Sequence, residues 1–144
     1  MNNKYNKFII QYKYVSNKFI LISNFYYMQK YSDKEIILLS LQVGCTIRLE
    51  RLRKGLSQEE LGLAIGSNST MIGRIERAET GTAWQNLLKV SQELNINYDS
   101  LFVLKSMENI ILIIKECFSL ESKLTTEKEN YYKKLEKIFS QNLE

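Results

Sequence analysis

The sequence predicts an all-α protein, on three observations. Its 144 residues include no proline and only 6 glycines, which disfavours sandwiches, barrels and glycine-rich phosphate loops. From Ser32 onward, apolar residues recur at three- and four-residue spacing rather than alternating. Helix starts and stops punctuate that pattern: a serine followed three residues later by glutamate, and glycines where the periodicity ends.

Each element follows from its own residues. Ser32-Asp33-Lys34-Glu35 is a capping box, in which Ser supplies an oxygen to the orphan amides and Glu reaches back. Ile36, Leu39, Val43 and Ile47 then trace one helical face, and Gly55 stops the helix. Ser57 and Glu60 repeat the box and open a second helix that buries Leu61 and Ile65 and ends at Gly66. A third runs from about Ser69 to Arg77 and buries Ile72 and Ile75. Thr82 and Gln85 are expected to cap a fourth, carrying Trp84, Leu87, Leu88, Val90 and Leu94. Asn97 caps a short fifth with Leu101 and Phe102. Residues 32–104 thus hold five helices and no strand.

Residues 105–144 read as a helical tail, with helices at about 106–119 and 122–141. Ile110, Ile111, Ile113 and Ile114 lie on nearly all sides of a helix, so more than one neighbour must cover them. Two readings stay open. The tail closes the domain's own core, or it dimerises through Ile110, Ile111, Ile114, Leu135 and Ile138. No strict heptad persists, so a long coiled coil is not predicted.

The first 27 residues differ in kind. Asn, Lys, Tyr, Phe and Ile, all encoded by codons beginning with two A or T letters, supply 21 of them. Residues 1–31 read as an atypical, disordered extension, and the simplest account of its first 27 residues is a translated AT-rich leader, with the natural start at Met28. The alternative is a marginal β-hairpin, Lys7 to Val15 and Phe19 to Tyr27, broken at Ser16-Asn17-Lys18. A signal peptide fits poorly, because Lys13 and Lys18 interrupt every apolar core.

Composition narrows the function classes. The net charge of +4 comes from the leader, since residues 1–32 carry five lysines and no acid. A nucleic-acid argument must therefore rest on local patches rather than overall charge. The chain has no histidine, which removes His-based triads, His-metal sites and the usual proton shuttle. Glu59 and Glu60 cap a helix and Ser57 lacks a base, so no catalytic constellation, cofactor or metal is expected. No run of about 18 apolar residues suggests a membrane span. Cys45 and Cys117 stand alone, which points to reduced cytoplasmic thiols.

The functional signal lies in Ile47-Arg48-Leu49-Glu50-Arg51-Leu52-Arg53-Lys54-Gly55-Leu56-Ser57-Gln58-Glu59-Glu60-Leu61, with Ile65-Gly66-Ser67-Asn68-Ser69-Thr70-Met71-Ile72-Gly73-Arg74-Ile75-Glu76-Arg77 following. This stretch, continuing through Trp84-Gln85-Asn86-Leu87-Leu88-Lys89-Val90 to Leu101-Phe102, resembles the helix-turn-helix domains of the phage repressor and Cro type, the XRE family. The resemblance spans about residues 40–103. It implies a five-helix repressor-like domain that binds double-stranded DNA, with the second helix across the backbone and the third in the major groove.

The residues agree with that implication. Ile72 and Ile75 take the packed side of the third helix, and Ser69, Thr70, Gly73, Arg74 and Arg77 share the other. Ser69, Thr70, Gly73 and Arg74 are the candidate base contacts; an arginine fork matches guanine O6 and N7. Gln58, at the start of the second helix, is implied to meet a phosphate, with Arg48, Asn68 and Arg77 as further phosphate contacts. Arg53 and Lys54 are weaker candidates. Arg51 and Glu76 match a pair that bridges the first and third helices in the family, a structural role. Three positions depart from the family. Gly62 replaces the usual Ala, predicting a looser second helix. Ala78 replaces the common Gly, predicting a recognition helix that runs on or ends less sharply. Thr82 stands where Pro is frequent. The reading is a homodimeric regulator on a palindromic site; the alternative is an antitoxin-like interaction module whose tail, residues 105–144, binds a partner protein.

Overall fold

A computed structural model describes residues 9–15, 18–24, 30–79 and 82–142. Met28, the expected start, and Ser16-Asn17, the expected turn, lie outside the described residues. Two units separate, residues 1–32 and 33–144. In the first, strands β1 (Ile9–Val15) and β2 (Lys18–Asn24) pair antiparallel, with Ile9 opposite Asn24 and Val15 opposite Lys18. This is the hairpin alternative; residues 7–8 and 25–27 of its expected strands lie outside the described residues.

The second unit is helical. Its elements are α1 (Asp33–Arg53), α2 (Gln58–Ala64), α3 (Ser69–Glu76), α4 (Trp84–Leu94), a 3-10 turn at Asp99–Phe102, α5 (Met107–Leu120) and α6 (Thr126–Ser140). Side-chain caps set several starts. Ser57 and Glu60 form the expected capping box, the Glu60 amide donating to Ser57 Oγ at 3.1 Å and the Ser57 amide to Glu60 Oε2 at 2.7 Å. Asn68, Ser106 and Thr125 cap α3, α5 and α6. Asn97 Oδ1 accepts from the Ser100 amide and so caps the 3-10 turn. Thr82 does not cap α4: the cap residue is Ala83, which offers no side-chain bond.

α1 is buried on two faces. Val43 and Ile47 pack with Leu61, Ile65, Ile72, Ile75, Val90, Leu94 and Leu101 of the following helices. Leu38, Cys45 and Leu49, on its other side, pack with Ile110, Ile114 and Cys117 of α5 and Tyr132, Leu135 and Phe139 of α6. Burying each large aliphatic or aromatic side chain contributes roughly 1.5–3 kcal/mol, so the tail is integral to the stability of α1. This corrects the expected dimer surface, because Ile110, Ile114 and Leu135 are spent inside one chain. Ile36 and Trp84, expected in the core, are 50% and 60% exposed.

Gln42 fastens the tail's entry. Fully buried, it donates through Nε2 to the Val103 carbonyl at 2.9 Å and accepts from the Lys105 amide at 2.7 Å. At the far end of α1, Arg53 forks onto Glu116 of α5, with both bonds at 2.7 Å. Among the described residues no helix is long and apolar enough to cross a membrane, and no cluster of acids and cysteines suits a metal ion.

Candidate nucleic-acid interface

α2 and α3 meet closely because Gly62 has no side chain. A Cβ there would stand 2.6 Å from the backbone carbon of Asn68 and 2.9 Å from its Cα. The expected loosening of α2 is therefore reversed: the glycine brings the two helices together. Gly44 does the same between α1 and α3, where a Cβ would lie 2.6 Å from the Glu76 carbonyl oxygen.

α3 then presents two unlike faces. Ile72 and Ile75 are buried in the core. Ser69, Thr70 and Arg74 are exposed together on the opposite side. Asn68 is also exposed, its Oδ1 accepting from the Met71 amide at 3.0 Å. Beside this face lies a cavity of about 340 Å³ lined by Asn68, Thr70, Met71, Arg74, Thr82 and Asn86. The start of α4 thus borders the polar face of α3, a placement that the sequence reading did not identify for Thr82 and Asn86.

The angle of α3 is set by Glu76, which is 1% exposed. Its Oε1 accepts from Arg51 Nε at 2.5 Å. Its Oε2 accepts from Arg51 Nη2 and Arg48 Nε, each at 3.1 Å, and from Gln58 Nε2 at 2.8 Å. Arg51 Nη1 also reaches the Leu56 carbonyl at 2.7 Å, tying the α1–α2 turn into the network. The Arg51–Glu76 bridge is as the family resemblance implied. Two findings go beyond it.

Arg48, expected at a phosphate, is turned inward instead. It is only 7% exposed and belongs to the buried network, its guanidinium lying 4.6 Å from the Tyr131 ring centre and 5.6 Å from that of Tyr132. Burial alone would lower its pKa, but the Glu76 carboxylate together with Tyr131 and Tyr132 outweighs burial, raises the pKa and holds the guanidinium charged. Tyr131 of α6 also donates to the Glu76 carbonyl at 3.0 Å, so the tail buttresses the end of α3. Gln58, the other reassigned residue, is half-buried, and its amide is engaged with Glu76 rather than free for a phosphate.

The end of α3 is sharp. Ala78 takes a left-handed conformation, φ +54°. The Ala78 amide donates to the Ile75 carbonyl at 3.0 Å and the Glu79 amide to the Arg74 carbonyl at 2.9 Å, a Schellman closure built on alanine. The helix therefore neither runs on nor frays, contrary to the expectation from the missing glycine. Arg77 is exposed and pairs with Glu79, its Nε 2.7 Å from Oε1. Its guanidinium covers Gly73: a Cβ at residue 73 would lie 2.9 Å from Arg77 Nη1, so Gly73 is buried and does not itself face outward. Arg53 and Lys54 are engaged elsewhere, with Glu50, Glu116 and the Glu93 carbonyl.

Helix α2, the tight Gly66 turn at φ +70°, and α3 with one buried and one polar face together make a helix-turn-helix unit. No curated protein and no solved structure matched the chain. A family model for helix-turn-helix domains matches residues 47–101. Over those residues the chain is similar to helix-turn-helix domains.

Proposed function

We propose that the protein is a sequence-specific transcriptional regulator, most simply a repressor, acting in the cytoplasm as a homodimer on a palindromic operator. The observation that carries this reading is the build of α3. Its outer face offers Ser69, Thr70 and Arg74 to base edges, while its inner face and Glu76 lock the helix to the core. Asn68, at the start of α3, suits a backbone phosphate. Two-fold pairing doubles the length of sequence read. With the inward isoleucines unavailable, pairing falls to the tail's outer face, where Leu112, Phe118, Leu120 and Leu124 are exposed.

The same exposed residues favour the second reading, a tail that binds a different protein. Selection from random duplex DNA separates the two, together with the sedimentation mass. Enrichment of an inverted repeat by a dimer supports the regulator. A monomer that enriches no sequence supports the interaction module.

A further inference from the structure

The tail and the helix-turn-helix unit share a cleft that the regulator reading leaves unused. Its volume is about 590 Å³, within the range of sites that take small organic molecules. Its floor is the buried network around Glu76, with Arg48 and Arg51 among the lining residues. Leu52, near the end of α1, and Leu56, in the turn that follows, add half-buried apolar surface. Ser122 and Thr125, where α5 gives way to α6, stand exposed at its mouth.

The charges on that floor do not balance. Arg51 spends Nε and Nη2 on Glu76 and Nη1 on the Leu56 carbonyl. Arg48, 7% exposed, spends Nε on the same carboxylate. Beyond that bond Arg48 meets neutral groups, the rings of Tyr131 and Tyr132 and the Tyr132 hydroxyl. Among the described residues no second carboxylate pairs with either guanidinium. Two buried cations thus share one anion, and a buried charge without a counter-ion of its own is costly. The other acids of the lining do not supply the missing charge. Glu121 is bound to Lys128 and the Tyr132 hydroxyl, Glu60 caps α2, and Glu127 is exposed at the rim. The remaining cations of the lining, Lys128 and Arg77, pair with Glu121 and Glu79. We propose that this cleft is a binding site for a small organic carboxylate, whose charged head pairs with Arg48 beside Glu76 and whose apolar body lies against Leu52 and Leu56. The head gains charge-assisted hydrogen bonds and the body gains from leaving water. Nothing in the site requires DNA, so the inference stands apart from the regulator reading.

The test titrates the full chain with benzoate, naphthoate and the neutral isostere benzamide at constant ionic strength, without DNA. Binding is followed by ligand-observed NMR and by the melting temperature. Benzoate should bind with a Kd of about a millimolar. Naphthoate should bind about tenfold tighter, for the apolar area of its second ring. Both should raise the melting temperature by binding the folded chain alone, and benzamide should do neither. Ser122→Asp and Ser122→Lys change the charge at the exposed mouth without touching the core. They should weaken and tighten benzoate binding by up to about fivefold, the scale of one exposed ion pair. Arg48→Met, once its melting curve shows a folded chain, should lose about tenfold or more; if it does not fold, the Ser122 pair still decides. A parent chain that binds neither carboxylate overturns the inference, as does benzamide binding as tightly as benzoate. So does a benzoate affinity that neither Ser122 variant moves, or one that a folded Arg48→Met chain keeps in full. Failure of the regulator reading looks different: the parent chain then selects no DNA sequence, and these titrations are unaffected.

Discussion

Removing the Glu76 carboxylate should be among the costliest single changes in the chain. Glu76→Ala takes the acceptor from four donors at once: Arg51 Nε and Nη2, Arg48 Nε and Gln58 Nε2. Two guanidiniums, 7% and 6% exposed, are left with no counter-charge. Breaking a buried pair costs about 3–5 kcal/mol, and two cations share this one anion, which places the loss near the upper end. Against a total stability of about 5–15 kcal/mol, that brings the domain close to unfolding. The network also predicts a rank order. Arg51→Met should cost about 3–4 kcal/mol, since it strips two bonds from Glu76 and orphans the Leu56 carbonyl. Arg48→Met should cost only about 1–2 kcal/mol, because Glu76 keeps Arg51 and the surplus cation is gone. Urea unfolding followed by helical circular dichroism, with a common m-value, measures all three. The Arg48→Met protein, once shown to be folded, should bind DNA with an unchanged salt slope, as expected of a residue that meets no phosphate. A Glu76→Ala protein within about 1 kcal/mol of the parent, or an order in which Arg48 outweighs Arg51, would refute the network as the device that fixes α3.

Four further outcomes can be checked. Gly62→Ala gains about 1 kcal/mol of helix propensity but forces a Cβ against the Asn68 backbone, which no rotamer relieves; overpacking of about 1–3 kcal/mol should leave a net loss and weaker DNA binding, and unchanged stability would show that α2 and α3 part freely. Ala78→Gly removes a left-handed penalty of about 1–2 kcal/mol and gives back about 0.4–1 kcal/mol of unfolded-chain entropy, so melting should rise by about 2–6 °C with DNA affinity intact; a lower melting temperature would contradict the strained closure. Burial pushes the Cys45 and Cys117 thiols up to about 12, leaving roughly one thiolate in ten thousand at pH 8, so alkylation of the native protein should proceed only as fast as the core opens, and rapid labelling would show the cluster to be accessible. Burial tends to raise the Glu121 carboxyl, but hydrogen bonds from Lys128 and Tyr132 outweigh it and hold it below the usual carboxylate range. Its contribution to stability is thus present above the unfolded value of about 4.3 and lost as pH falls through the lower folded value, and Glu121→Gln should flatten the stability profile across that acid window; an unaltered acid limb would remove Glu121 from the linkage.

Much of this was legible along the chain because it is local. The Ser57–Glu60 box, the Asn97 cap and the helices from Asp33 to Ser140 depend on groups within four residues of one another, and composition and spacing report those directly. The two faces of α3 were legible for the same reason: Ile72 and Ile75 on one side and Ser69, Thr70 and Arg74 on the other follow from helical geometry alone. The Arg51–Glu76 bridge is a different case, since it came from resemblance rather than from spacing.

What only the tertiary structure decided was which neighbour covers each face and which partner each charge finds. Periodicity marks a side of a helix as apolar but does not say what packs on it. α1 is covered twice, so Leu38, Cys45 and Leu49 were buried by a tail that the sequence left equally free to face another chain. Arg48 and Arg77 look alike as exposed cations in a basic motif; one is drawn into the core by Glu76 and Tyr131, and the other lies across Gly73 beside Glu79. Gly62 and Ala78 read as weak points because propensity counts only the helix they belong to. The approach of the Asn68 backbone and the two closing amide bonds at Ala78 and Glu79 are through-space facts, and they turn both positions into the features that set where α3 sits and where it stops.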